Sequence, residues 1–145
     1  MLQVKQGLEA LGHQVDMMGD GIDCFYIYGE DNRKVLKSHF KPMLEYKLPT
    51  TSPIFTDHWV RYAESERLSL ELSLTYLGLE QYDVIHAQDV LAAAAASRVK
   101  PARIPLVTSI HASVAFTIRD MLQTDQGIKP SSAPLVWNYY RPIEN

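Results

Sequence analysis

Residues 82–113 read YDVIHAQDVLAAAAASRVKPARIPLVTSIHAS, a strand–helix–strand pattern. Val84-Ile85 and residues 106–110 are short runs rich in β-branched side chains, the composition of strands buried on both faces. Residues 90–99 between them are mostly alanine and leucine, strong helix formers, with Asp89 or Gln88 placed to cap the first turn. Lys100-Pro101 stops that helix, because proline disfavours helical geometry in the residue before it and donates no backbone hydrogen bond. Strand, covering helix and strand make a βαβ unit. Such crossovers are right-handed in nearly all cases, which predicts two parallel strands. The five consecutive alanines, Ala92 to Ala96, let the helix lie close to its neighbours.

In an open parallel sheet, ligands bind in the crevice beyond the carboxyl ends of the strands. His86-Ala87-Gln88-Asp89 and His111-Ala112-Ser113 both fall at that edge. A lone histidine there is more often a satisfied structural residue; two at equivalent strand ends make a candidate site. Ser113 is placed to cap a helix running to about residue 123, whose first amides attract anions.

The pattern Y-D-V-I-H-A-Q-D, the Ala-rich helix and I-P-L-V-T-S-I-H-A together resemble the acceptor-side domain of group 1 glycosyltransferases. These are two-domain GT-B enzymes related to glycogen and sucrose synthases, whose usual versions read D-V-V-H-A-H-D and P-V-V-T-x-H-G or H-D. The opening LEALGHQVDMMG is similar to the family's first helix and second strand, L-A-x-x-G-H-E-V-x-V. The resemblance runs from about Leu2 to Ser113 in the same order. It implies an α/β fold, a Rossmann-like three-layer αβα domain with a mainly parallel sheet, occupying residues 1–145 as a single domain. In the family a strand and a glycine-rich loop precede the first helix, and neither is present here. The domain is thus expected to be truncated at its N-terminus, lacking the central strand, and to lack the C-terminal donor-binding domain. Unpaired edges in such a sheet call for compensation: another copy in a strand-exchanged oligomer, remodelled pairing, or a chain that starts late.

In GT-B enzymes two Rossmann-like domains face each other across a cleft, the first binding acceptor and the second nucleotide-sugar. The resemblance implies that His111 contacts the donor sugar or supports the transition state. It implies that His86, Gln88 and Asp89 line the same cleft, with Gln88 in place of a usual second histidine. Ser113 is the candidate anion contact. The reading that follows is an acceptor-side domain of a retaining, sugar-nucleotide-dependent glycosyltransferase, with sugar acceptor and nucleotide-sugar as partners of the full-length enzyme. The isolated fragment is expected to be inactive, for want of a donor pocket and a closed cleft. Two alternatives stay open: a non-catalytic, self-associating α/β module, and a Rossmann-like domain binding a phosphorylated metabolite at Ser113.

Upstream, Leu2, Val4, Leu8 and Leu11 have helical spacing and Gly12 follows as a C-cap. Residues 14–18 alternate and predict a strand ending at a turn over Gly19-Asp20-Gly21. Cys24-Phe25-Tyr26-Ile27-Tyr28 predicts another strand, residues 29–32 a turn, and residues 33–40 a return strand. Three prolines over residues 41–53 predict an irregular excursion. Thr56 or Asp57 is placed to cap a helix reaching about Leu77, although Leu68, Leu70, Leu72 and Leu74 alternate with polar residues in the manner of a strand. Residues 126–134 predict a loop and residues 135–145 a further helix.

The length of 145 residues suits one domain, and 46% hydrophobic with 21% charged residues is a globular composition. A net charge of −3 argues against nucleic acid as a partner, and the basic residues between Arg33 and Lys47 read as solvated surface. Cys24 stands alone, so no internal disulfide or thiolate metal cage forms, which fits a cytoplasmic location. No secretory signal and no transmembrane segment is visible. No paired-glutamate donor motif, D-x-D, P-loop or G-x-G-x-x-G pattern occurs, so neither metal nor cofactor is expected.

Overall fold

The computed structural model describes all residues except 1, 31, 115, 118, 119, 121–132 and 145. The chain divides into two compact units, Met1–His39 and Phe40–Asn145.

The first unit opens with α1 (Leu2–Ala10). Gly12, at φ 88°, ends it as foreseen: Gly12 N donates to Glu9 O and His13 N to Leu8 O, the paired bonds of a Schellman cap. Three strands follow in an antiparallel sheet of order β1-β2-β3: β1 (Met18–Asp20), β2 (Cys24–Ile27) and β3 (Lys34–Leu36). The β2–β3 hairpin forms as expected, with Gly29 at φ 87° in its turn, but the return strand stops at Leu36 and Lys37–His39 make a 3-10 turn where residues 33–40 were expected to be strand. The first strand does not. It begins at Met18 and takes in Gly19 and Asp20, which were expected to turn. The reason is steric. Gly19 pairs with Tyr26, and a Cβ at Gly19 would stand 2.4 Å from Tyr26 Cζ, so the glycine makes room for a ring. The reversal lies at Gly21, whose N–H donates to Cys24 O. Phe25, Ile27 and Val35 are buried and form the apolar interior of this unit.

The second unit starts with α2 (Lys41–Thr51) where an irregular excursion was expected. Pro42 lies in the first turn, where its missing N–H is unneeded. Pro49 lies inside the helix near its end, and buried Leu44 and Leu48, four residues apart, offset the hydrogen bond it removes. After a short 3-10 turn (Pro53–Thr56), Asp57 caps α3 (His58–Leu77), accepting from the backbone N–H of Trp59 and Val60. Gly78, at φ 75°, closes it.

The alternating stretch is therefore helix. Its buried residues are Ser65, Ser69 and Ser73 rather than the leucines between them, and Leu72 is exposed. Small side chains at i, i+4 and i+8 form a slim stripe. Neighbouring α4 (Val90–Val99) buries Ala95 and Ala96 in the same way, so both helices of this closely packed pair contribute small residues.

β4 (Ile85–Ala87) and β5 (Leu106–Thr108) are parallel, with Ile85 opposite Leu106 and Ala87 opposite Thr108, and α4 crosses between them. The βαβ unit is as expected, with Asp89 as the cap, accepting from Ala92 N. The described strands thus make one antiparallel and one small parallel sheet in a mixed α/β chain, in place of the single, mainly parallel sheet expected. The final helix α5 (Ala133–Glu144) agrees with expectation, whereas the expected loop lies outside the described residues up to position 132. Val136 and Tyr140 of α5 pack with Val60 and Ala63 of α3 as the core of this unit.

Burial, with the nearby oxygens of Tyr62, Asp89 and Glu144, pushes the Tyr140 phenol up from 10.0 to about 12. Tyr139 moves the same way, through burial and its bond to Glu64. A folded-state pKa above the unfolded value means that stability is complete below pH 10 and falls as pH rises towards about 12. Over that window Tyr140 alone accounts for roughly 3 kcal/mol. Tyr140→Phe is expected to flatten this alkaline decline, measured by denaturation at stepped pH.

Candidate functional site

The carboxyl ends of β4 and β5 carry a hydrogen-bonded row of four side chains. Alternation along β4 buries Ala87 and leaves His86 exposed. The next residue, Gln88, is half-buried where the chain leaves the strand for the Asp89 cap. On the neighbouring strand the ladder continues past Thr108, with Ser109 N donating to Ala87 O, and this fixes Ser109 beside the first strand's end. His86 Nε2 lies 2.8 Å from Ser109 Oγ, Gln88 Nε2 lies 2.9 Å from His86 Nε2, and Gln88 Oε1 lies 3.2 Å from His111 Nε2. The order is Ser109, His86, Gln88, His111. Two imidazoles, a carboxamide and a hydroxyl supply donors and acceptors but no fixed charge, which suits recognition of hydroxyl groups.

Of the residues singled out from sequence, His86, Gln88 and His111 are brought together directly. Asp89 adjoins them with its carboxylate bonded to the first turn of α4. Ser113 stands apart from the row. Its Oγ accepts from Phe116 N, as a capping residue does, and donates to Glu144 Oε2 at 2.8 Å. An anion approaching that hydroxyl would meet a carboxylate already there. The expected helix after Ser113 has helical residues at Val114, Phe116, Thr117 and Asp120; the rest lies outside the described residues.

Ser109 was not foreseen as part of the site. The signal was present: Ser109 and His111 are two apart, and alternate residues of an extended chain face the same way. Glu144, far along the chain, carried no such signal. A hollow of about 360 Å³ lined by Glu45, His58, Arg61 and Tyr62 contains none of these residues. No group of three or more His, Cys, Asp or Glu side chains suited to a metal occurs among the described residues. Nor is any helix among them long and apolar enough to cross a membrane.

The family model for Glycosyltransferase Family 4 matches residues 1–145. The chain belongs to that family. No curated protein and no solved structure matches it. Membership makes this a glycosyltransferase-type domain.

Proposed function

We propose that the chain is the acceptor-side domain of a retaining, sugar-nucleotide-dependent glycosyltransferase of the group 1, GT-B kind, and that the row from Ser109 to His111 contacts sugar. The observation that carries this is the bridging of His86 and His111 by Gln88 at the carboxyl ends of two parallel strands. Ligands of open α/β sheets bind at that position. In this reading β4 and β5 belong to a Rossmann-like sheet of the whole enzyme. His111 is the group nearest the transferred sugar, and His86 and Gln88 hold hydroxyls of the cleft. Asp89 serves the site by fixing the start of α4. Acceptor and nucleotide-sugar are both substrates of the full enzyme, in the cytoplasm, while residues 1–145 alone perform no transfer.

Titration calorimetry with UDP-glucose and GDP-mannose tests this. The expected result is no micromolar binding to the 145-residue chain, since the donor pocket belongs to the second domain. Micromolar binding abolished by His111→Ala would overturn the acceptor-side assignment.

A second reading, self-association, draws support from exposed Val84, Val107 and Ile110 on and beside the two-stranded parallel sheet. Size exclusion with light scattering decides it: a dimer supports the reading, and a monomer at all accessible concentrations removes it.

A further inference from the structure

His58, Arg61 and Tyr62 stand at i, i+3 and i+4 on α3, so they share one face of its first two turns. Glu45 comes from α2, the helix that packs on α3, and completes the lining of the hollow of about 360 Å³. That volume lies within the roughly 300–1,000 Å³ of small-molecule sites, at the lower end. The hollow carries fixed charge of both signs. Arg61 brings a planar fork of donors, and the Glu45 carboxylate only accepts. Opposite charges on one small hollow ordinarily pair. Here neither side chain makes a hydrogen bond or an ion pair among the described residues. The neighbouring charge is already matched: Lys41 is paired with Glu66 and stands 5.3 Å from the centre of the Tyr62 ring.

We propose that this hollow binds a small zwitterion, a molecule carrying both an ammonium group and an oxyanion, carboxylate or phosphate. Arg61 takes the oxyanion in a two-pronged contact and Glu45 takes the ammonium. His58 and the Tyr62 hydroxyl supply further polar contacts. Simpler ligands leave a charge opposed or unanswered. An anion alone meets Glu45, a cation alone meets Arg61, and a neutral sugar answers neither. The proposal does not rest on the acceptor-side reading: the row at β4 and β5 has no fixed charge and suits hydroxyls, whereas this hollow has one of each sign. α-Amino acids and amino-sugar phosphates share the required chemistry, and the experiment separates them.

The test is titration of the ¹⁵N-labelled 145-residue chain with L-alanine and with glucosamine 6-phosphate, followed at the His58 ring nitrogens at fixed pH and ionic strength. Acetate, inorganic phosphate, ethylammonium and glucose are the comparison ligands. At least one zwitterion is expected to give saturable shifts, with each comparison ligand about tenfold weaker or without effect. Glu45→Gln and Arg61→Gln are each expected to weaken the zwitterion by about tenfold or more, the loss of one charge-assisted contact. Saturation by L-alanine alone assigns an amino acid, saturation by glucosamine 6-phosphate alone an amino-sugar phosphate, and saturation by both supports the shared chemistry. No saturation by either, equal saturation by a simple ion, or affinity unchanged in one of the two variants overturns the proposal. If a variant fails to fold, the zwitterions against their separate ions in the unaltered protein still decide it. Zwitterion binding with no response of the strand-end histidines to hexoses would leave this site standing and remove the sugar reading, so the two failures are distinguishable.

Discussion

Arg67→Met is expected to destabilise the second unit by roughly 3–5 kcal/mol, the cost of removing one member of a buried charge network. Arg67 is 6% exposed in the middle of α3. Its Nε and Nη2 hold Glu64 in a bidentate pair at 2.8 and 2.6 Å, and its Nη1 bonds Glu71. Arg98 of α4 reaches the same Glu71 oxygen, at 3.2 Å. From α5, Tyr139 Oη donates to Glu64 Oε2 at 2.7 Å. The bond to Glu64 holds the Arg67 guanidinium above its already high range, against the opposing effect of burial. Methionine fills similar volume but leaves two mostly buried carboxylates without their main counter-ion. The midpoint of urea denaturation checks this. A triple variant with Glu64→Leu and Glu71→Leu added is expected to recover most of the loss, since apolar replacement of a whole buried network is often neutral or stabilising. A loss below about 1 kcal/mol for Arg67→Met would mean that the pairs are solvated as ordinary surface pairs are.

Phe25→Ala is expected to cost roughly 3–5 kcal/mol by emptying the middle of the antiparallel sheet. Phe25 is 2% exposed on β2, with Asp20 and Val35 as its register partners on either side. Lys37 Nζ also stands 4.8 Å from its ring centre, so the substitution removes a cation–π contact as well as the apolar fill. Amide exchange provides the readout. The N–H groups of Ile27 and Tyr28, bonded to Arg33 O and Met17 O, are expected to lose protection. Unchanged protection there would contradict the burial of this ring.

Where propensity and punctuation agreed, the sequence was a sufficient guide. The βαβ unit was legible because β-branched runs flank an alanine helix that has a carboxylate at its start and a proline after its end. The hairpin of β2 and β3 was legible from aromatic density and a Gly-Glu turn. Elsewhere tertiary demands overrode the local signal. Gly19 looked like a turn residue and is a strand residue cleared for the Tyr26 ring. The prolines of α2 looked like breakers, yet Pro42 occupies the one turn of a helix that accepts proline freely. In α3 the leucines drew attention while the serines were buried, because close helix approach selects small side chains rather than apolar ones.

The site divides in the same way. His86 and His111 could be read from their places at strand ends. The row through Gln88 and Ser109 could not, since side-chain hydrogen bonds between adjacent strands depend on register, which one sequence does not print. The Ser113–Glu144 bond joins residues 31 positions apart and had no local signature at all.

A hexose titration followed at the histidine rings decides whether the row at the ends of β4 and β5 binds sugar. Glucose, mannose and galactose would be added to the ¹⁵N-labelled chain up to high millimolar concentration. Saturable shifts of the His86 and His111 nitrogens are expected for at least one of them, lost in Gln88→Ala, with His13, His39 and His58 unmoved. Shifts confined to those other three histidines, or no shift at either strand end with any hexose, would contradict sugar binding there.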